Sequence, residues 1–336
     1  MQNRVAVWLG AFSGFYRPDI AELRRLDVIS RFLYAARSVI LVISAQAALI
    51  AGLLAAADRA FHWTEFMAVL AGFVVAHMIS NLSNDYFGFV RGHDKPDSPR
   101  MRYTIHPLAS GILSRRALWM GCGVLASLGS AVLLYFLVER GGLAAAFAAC
   151  GISLLLLYDV APVSIKSLGL GEFAVLLVWG SLMIGGGYAM IAGHVSHDAL
   201  YASVPYGLGV MSILNGKHID QRAFDAGQHI GTLPVRMGEA AARRLTRLTI
   251  VLMYGLIAAL IVLRRLTPFT AVVVLALPRA AHALGVLARP APATPPAGYT
   301  GWPLWYHRAC LVHNRLFGWL YILGLSAGAI WPGPGR

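Results

Sequence analysis

Charged residues are scarce in this chain of 336 residues, and it contains only three cysteines. Only 13% of its residues are charged and 58% are hydrophobic, a balance outside the range of soluble domains. Cys122, Cys150 and Cys310 lie in or beside apolar segments, so we expect small buried apolar residues rather than disulfide partners. The composition predicts an integral membrane protein.

Long apolar runs take up most of the chain, and a helix needs about 20 such residues to cross a bilayer. The runs are continuous rather than alternating, which favours helices over a transmembrane β-barrel. We therefore predict an all-α membrane bundle of nine transmembrane helices around a central cavity. The predicted spans are 35–57, 64–86, 115–138, 142–160, 172–193, 199–217, 246–263, 267–288 and 311–331.

Acidic residues are rarer than basic ones, with 15 Asp and Glu against 28 Lys and Arg, and the formal net charge is +13. If the N-terminus is cytoplasmic, 23 of the 28 Lys and Arg fall on the cytoplasmic side, and Arg264 and Arg265 are the main exception. This bias follows the positive-inside rule and predicts a multi-pass protein of the inner (cytoplasmic) membrane. Since topology accounts for the positive charge, we expect the lipid bilayer, and no nucleic acid, as a partner.

The N-terminal region differs from the rest of the chain. Residues 5–15 are apolar but too short to span, and the basic stretch 17–31 follows without a small-residue cleavage pattern. We predict an interfacial segment over 1–34 and the membrane domain over 35–331.

Seven of the 15 acidic residues lie in three polar stretches, 81–111, 158–173 and 215–238, which the predicted topology places on one side of the membrane. They are Asp85, Asp94 and Asp97, then Asp159 and Glu172, and finally Asp220 and Asp225. Carboxylate and amide oxygens bind Mg²⁺, commonly together with substrate phosphates, and nearby cations would bind the remaining phosphate charge. The pattern indicates a site for Mg²⁺ and a diphosphate.

The local spacing refines this interpretation. Asn81 and Asp85 are four residues apart and share a helix face, and polar groups at the membrane end of a helix are costly unless they have a role. Asp220 and Asp225 are five residues apart, so a kink or loop is needed for both to reach one metal. His218 and His229 lie near them, but their spacing matches no standard zinc site.

Four sequence pieces resemble the signature loops of the UbiA-type membrane prenyltransferase superfamily, and most closely its 1,4-dihydroxy-2-naphthoate polyprenyltransferase branch. They are NDYFGFVRGHDKPD at 84–97, HPLASG at 106–111, GLGEF at 169–173, and the run from Asp225 to Gly238. The resemblance covers about residues 35 to 331 and implies nine transmembrane helices with the polar loops on the cytoplasmic side.

The resemblance implies Mg²⁺-dependent transfer of a prenyl group from an allylic prenyl diphosphate to an aromatic acceptor, naphthoate-like or quinone-precursor-like, in menaquinone biosynthesis. It implies a catalytic set of Asn84, Asp85, Asp94, Asp220 and Asp225. Within this set, Asp85, Asp94 and Asp225 are expected to bind the metal. The diphosphate-binding residues are expected to be Asn81, Arg102, Tyr158 and Lys166.

Several positions depart from the family pattern. Gly88 stands where the family has the Asp of its first motif, and Gln221 replaces the first Asp of the second motif. Ile230 replaces a frequent Lys, and His106 replaces a frequent Arg. All four changes affect metal and diphosphate binding, so two alternatives stay open: a terpene cyclase of the same fold that uses no acceptor, and a non-catalytic lipid-binding relative.

Overall fold

The computed structural model describes residues 4–13, 18–96, 98–160, 164–299 and 301–331. Helices make up most of these ranges, which contain no strand, so the predicted all-α class is confirmed. The predicted position of Asp97 in the first polar stretch lies outside the described residues, as does the side chain of Asp159 in the second.

The helices follow one another in an up-and-down series. They are α1 (Arg4–Ser13), α2 (Ile20–Arg25), α3 (Val28–Ala35), α4 (Ser38–Ala57), α5 (Trp63–Val90), α6 (Pro99–Tyr103), α7 (Arg115–Arg140), α8 (Gly142–Leu155), α9 (Gly171–Leu177), α10 (Gly186–Ala192), α11 (His197–Gly227), α12 (Leu233–Met237), α13 (Glu239–Val262), α14 (Leu277–Ala288) and α15 (Tyr306–Ile330). A π-helical turn, Leu156–Val160, extends α8; a π-helical segment, Val178–Gly185, joins α9 to α10; and a 3₁₀ segment, Pro268–Ala276, leads into α14.

Six helical segments in the described part of the chain are long and apolar enough to cross a membrane. They are Ser38–Ala57, Trp63–Val90, Arg115–Arg140, Gly171–Ala192, Glu239–Val262 and Pro268–Ala288. The other three predicted spans fall on helices as well, but Gly142–Tyr158 is shorter, and α11 and α15 carry polar residues inside the bundle, such as Asn215 and Asn314. The count of nine spans is therefore not confirmed, although each predicted span coincides with helix.

Helix α11 is the centre of the bundle and packs against α9, α13, α15 and the π-helical segment. Gly207 permits a close approach to α9, since a Cβ added there would lie 2.9 Å from the carbonyl oxygen of Leu176. Buried tyrosine hydroxyls satisfy their hydrogen bonds across helices: Tyr206 donates to the carbonyl of Ile43 at 2.8 Å, and Tyr321 to that of Ala202 at 2.9 Å. These contacts join α11 to α4, α9 and α15.

The break between α3 and α4 positions an important cation. Arg37 has a left-handed backbone with φ 56°, which is unusual for a residue with a side chain, and it separates the two helices. The side-chain amide of Asn81 donates to the Ala36 carbonyl at 2.9 Å, which ties this break to α5. As a result the Arg37 side chain reaches the polar end of α5.

The N-terminal helices pack against the bundle. The Trp8 indole donates to the Ser30 hydroxyl at 2.8 Å, joining α1 to α3, while Val5 and Leu9 are exposed. An exposed apolar face beside the bundle suits an interfacial segment. The predicted boundary between 1–34 and 35–331 stays a prediction.

Candidate functional site

A small cavity of about 70 Å³ lies where the three polar stretches meet. Asn84 and Asp94 line it from the first stretch, Lys166 from the second, and Gln221 and Asp225 from the third. The polar ends of α5 and α11 and the loop before α9 therefore converge on one point. Two carboxylates and two amides thus lie around this small cavity, together with the cations Lys166, Arg91 and Arg100.

Asp94 lies beside the end of α5 because the chain folds back immediately after that helix. The backbone N–H groups of His93 and Asp94 donate to the Gly88 carbonyl at 2.9 and 3.1 Å. This turn places the Asp94 carboxylate over Gly88, in contact with the position where a Cβ would stand. The carboxylate at position 94 thus fills the space of the side chain that position 88 lacks.

His106 fixes the orientation of Asp94. Its Nδ1 accepts from the backbone N–H groups of Leu108 and Ala109, both at 3.3 Å, so Nδ1 carries no proton. The proton is therefore on Nε2, which donates to Asp94 Oδ2 at 3.3 Å. Ligand atoms of Asp85, Asp94 and His106 lie within 4.8 Å of one another, but this tautomer makes His106 a donor to Asp94 rather than a metal ligand.

Asp85 is fully buried and bound by two arginines. Arg100 forms a two-point contact, Nε to Oδ1 at 2.8 Å and Nη2 to Oδ2 at 2.6 Å, and Arg37 also donates to Oδ1. Burial opposes the charge on Arg100, yet the ion pair with Asp85 raises the pKa of that guanidinium above its usual value. The geometry favours Asp85 as the anchor of two cations over its predicted role as a metal ligand, because its oxygens already face Arg37 and Arg100.

The two acids near the end of α11 differ in their surroundings. Asp225 is 4% exposed, lines the small cavity, and accepts from the Thr232 hydroxyl at 3.3 Å. Asp220 instead accepts from the backbone N–H groups of Tyr306 and His307 at 3.0 and 2.9 Å. Asp220, predicted as catalytic, thus caps the N-terminus of α15, since its side chain satisfies N–H groups that the helix leaves free.

A large cavity of about 1620 Å³ adjoins the small one and shares Asn84, Arg100 and Lys166 with it. Apolar and aromatic side chains line most of it, including Phe73, Phe136, Phe147 and Trp179. Seven Lys and Arg side chains, and no Asp or Glu, line it among the described residues. The basic residues are Arg37, Arg100, Arg102, Lys166, Lys217, Arg308 and Arg315.

The positive charge at the polar end acts on nearby titrating groups. Burial would raise the pKa of Tyr103, but the charges of Lys217, Arg37 and Arg100 lower it below its usual value. Burial lowers the pKa of His93, and Lys166 and Arg91 lower it further. The polar end of the large cavity is thus a region of positive potential that suits a multiply charged anion.

The predicted diphosphate-binding residues also lie at the large cavity. Asn81, Arg102, Tyr158 and Lys166 all line it, although the amide nitrogen of Asn81 is engaged by Ala36. Lys166 alone among these four also lines the small cavity.

Two contacts in the site could not be predicted from the sequence. Arg37 contacts Asp85 across 48 residues, and nothing in the local pattern of a basic N-terminal region indicates this pairing. Glu172 and His218 form a buried contact at 2.8 Å although they lie on different polar stretches. Only the predicted convergence of the stretches hinted at such a pair.

The model of the UbiA prenyltransferase family matches residues 45–302, about three quarters of the chain. The chain belongs to the UbiA prenyltransferase family. It is 25% identical over 207 residues to a UbiA prenyltransferase domain-containing protein 1 homolog of Drosophila melanogaster, a match that covers 58% of this chain and 55% of that protein. It is 28% identical over 203 residues to the 1,4-dihydroxy-2-naphthoate octaprenyltransferase of Escherichia coli, which covers 54% and 61%, respectively. The chain thus spans little more than half the length of these two relatives.

Solved structures show the same fold. A UbiA homolog from Archaeoglobus fulgidus bound to GPP and Mg²⁺ superimposes with a TM-score of 0.56 at 13% identity, covering 88% of this chain and 99% of that one. A digeranylgeranylglyceryl phosphate synthase gives a TM-score of 0.57 at 15% identity, covering 91% and 99%. Together with the six apolar helices, family membership makes this a multi-pass membrane protein.

Proposed function

We propose that this protein is a membrane prenyltransferase that requires Mg²⁺ and moves a prenyl group from an allylic diphosphate to a naphthoate-like aromatic acceptor. One observation carries the proposal: the small cavity, lined by carboxylates and amides, adjoins a large apolar cavity and shares the cations Arg100 and Lys166 with it. A prenyl diphosphate needs a polar site for its diphosphate beside an apolar space for its hydrocarbon tail.

The donor atoms at the small cavity suit Mg²⁺. Asp94 and Asp225 offer carboxylate oxygens, and Asn84 and Gln221 offer amide oxygens. Mg²⁺ takes oxygen ligands and is usually bound by one or two carboxylates plus substrate phosphates. When bound, the ion offsets the negative charge that develops on the leaving diphosphate.

Cationic side chains of the chain would bind the remaining negative charge of the diphosphate. Lys166 and Arg100 line both cavities, so a diphosphate at their junction would contact both side chains. Asp85 holds Arg100 and Arg37 in fixed positions, which removes the entropy cost of ordering these side chains during binding. Prearranged positive charge around the leaving group lowers the barrier to its departure.

The large cavity can hold the prenyl tail and shield the allylic cation from water. Its volume of about 1620 Å³ exceeds that of a drug-sized pocket, and aromatic faces such as those of Trp179 and Phe147 stabilise a cation. The similarity to a 1,4-dihydroxy-2-naphthoate octaprenyltransferase supports an acceptor of the menaquinone pathway.

The placement in the membrane follows the charge distribution. We infer that the protein lies in the inner membrane with its N-terminus and the small cavity on the cytoplasmic side, because 23 of 28 Lys and Arg then face the cytoplasm. Water-soluble prenyl diphosphate head groups and Mg²⁺ are accessible from that side.

The experiment is product analysis with purified protein in detergent or nanodiscs. Geranyl diphosphate and Mg²⁺ are supplied with and without 1,4-dihydroxy-2-naphthoate, and diphosphate and organic products are measured. A prenylated naphthoate that requires acceptor and is abolished by excess chelator supports the transferase. Hydrocarbon formed without acceptor would indicate the cyclase, and no diphosphate release with donors of several chain lengths would indicate a non-catalytic lipid-binding protein.

A further inference from the structure

A buried Glu–His pair lies at the wall of the large cavity, on elements whose polar ends are side by side. Glu172 is in the first turn of α9, and His218 lies on α11. His218 Nδ1 is 2.8 Å from Glu172 Oε1, and the residues are 1% and 0% exposed. The acid candidates named above, Asp94 and Asp225, line the small cavity instead.

One polar atom of each residue in this pair has no hydrogen-bond partner among the described residues. In the described part of the chain, His218 Nε2 and Glu172 Oε2 are buried without a hydrogen bond. Buried polar atoms are nearly always satisfied, so an unpaired ring nitrogen at a cavity wall points to a group that arrives with a ligand. His218 lines the large cavity, beside Lys217 and His307.

The contact with Glu172 determines which nitrogen of His218 is basic. A carboxylate accepts hydrogen bonds, so Nδ1 carries the proton and Nε2 presents its lone pair. His106 has the opposite arrangement, since backbone N–H groups hold its Nδ1 unprotonated and its Nε2 donates to Asp94. Of these two histidines, only His218 is arranged as a proton acceptor.

We propose that His218 is the general base that receives the hydroxyl proton of the aromatic acceptor, and that Glu172 is its positioning residue. This inference rests on the proposed prenyl transfer. The C1–O bond of the donor breaks with its electron pair leaving on the diphosphate, and a ring carbon of the acceptor forms the new bond to C1. The O–H electron pair becomes the carbonyl of a dienone, the proton moves to His218 Nε2, and later enolisation restores the aromatic ring.

The Glu172 carboxylate stabilises the imidazolium that this transfer creates. The arrangement follows a general pattern in which an acid fixes the tautomer and orientation of a catalytic histidine. General-base catalysis of this kind contributes roughly 10²- to 10⁴-fold to a rate. Loss of the base should therefore spare departure of the diphosphate and impair capture by the acceptor.

The test compares His218→Gln and Glu172→Gln with His197→Gln, an exposed histidine at the opposite end of α11. Each protein receives geranyl diphosphate, Mg²⁺ and 1,4-dihydroxy-2-naphthoate, and diphosphate, geraniol and prenylated naphthoate are measured separately. We expect His218→Gln to lose about 100-fold of the prenylated product. Diphosphate release should stay within about threefold of wild type, with geraniol replacing the prenylated product, and Glu172→Gln should show a smaller shift of the same kind.

A second variant separates chemistry from folding. His218→Ala removes the ring, and added imidazole should restore at least about tenfold of the lost product if a base is all that is missing. If His218→Gln loses diphosphate release and product equally, and imidazole does not rescue His218→Ala, the pair has only a structural role. That outcome would overturn the assignment of His218 as the general base but leave the proposed prenyl transfer intact. A wild-type protein that makes no prenylated naphthoate would overturn the proposed transfer itself, and this assignment with it.

Discussion

The Asp94 carboxylate stands over Gly88, so that a carbon added at position 88 would lie only 3.0 Å from Asp94 Cγ and closer still to its oxygen. Glycine at this position is therefore coupled to the carboxylate six residues later. This chain lacks the Asp side chain that the family has at position 88, and the backbone turn after α5 brings the Asp94 carboxylate into the space that such a side chain would occupy.

Gly88→Ala should displace Asp94 from the small cavity. We expect the rate of Mg²⁺-dependent diphosphate release to fall roughly 10- to 100-fold, the range for disturbing the support of a metal ligand. Gly123→Ala is the matched control, because a Cβ at that helical position meets nothing within 4 Å. Normal activity in Gly88→Ala would show that the position of Asp94 does not matter.

The neighbouring acids of α11 should separate into one that affects turnover and one that affects stability. Asp225→Asn should lower kcat by about 100-fold or more, since a ligand of a charge-neutralising metal contributes several kcal/mol. Asp220→Ala should lower the thermal midpoint, because loss of the capping side chain of α15 costs about 0.5 to 2 kcal/mol. Parallel kinetics and thermal unfolding check this, and a reversed pattern would contradict both assignments.

Lys166 should matter more for donor binding than Arg102, because Lys166 lines both cavities and Arg102 only the large one. We expect Lys166→Ala to weaken prenyl-diphosphate binding by about 1 to 3 kcal/mol, the scale of a charge-assisted hydrogen bond, and Arg102→Ala to weaken it less. Arg116→Ala is the control, since it removes the same charge at an exposed position away from both cavities. Equal donor affinity in all three variants would leave Lys166 and Arg102 as topological charges only.

The orientation of the bundle can be tested with two single cysteines. Gly227→Cys lies at the exposed end of α11 near the small cavity, and His197→Cys lies at its other end. In a Cys150→Ala background, which removes the exposed native thiol, an impermeant maleimide should label position 197 in intact cells. Position 227 should react only after permeabilisation, and the opposite labelling would refute a cytoplasmic small cavity.

The helices and the meeting of three polar stretches could be predicted because both follow from local patterns. Long apolar runs indicate spanning helices, and an up-and-down series places alternate loops at the same end. The partners of individual acids could not be predicted, since they depend on long-range packing. Asp85 pairs with Arg37 across 48 residues, and Asp220 caps a helix that begins 86 residues later. The turn that places Asp94 over Gly88 is visible only in the folded backbone.

The most direct test moves the carboxylate from position 94 to position 88, where it would share a helix face with Asn84. Mg²⁺-dependent diphosphate release from geranyl diphosphate is measured for Asp94→Gly and for the double variant Asp94→Gly with Gly88→Asp. We expect Asp94→Gly to lose about 100-fold of this activity and the double variant to recover at least about tenfold of that loss. If the folded double variant is no more active than Asp94→Gly, the small cavity is not a metal site held by a carboxylate over Gly88.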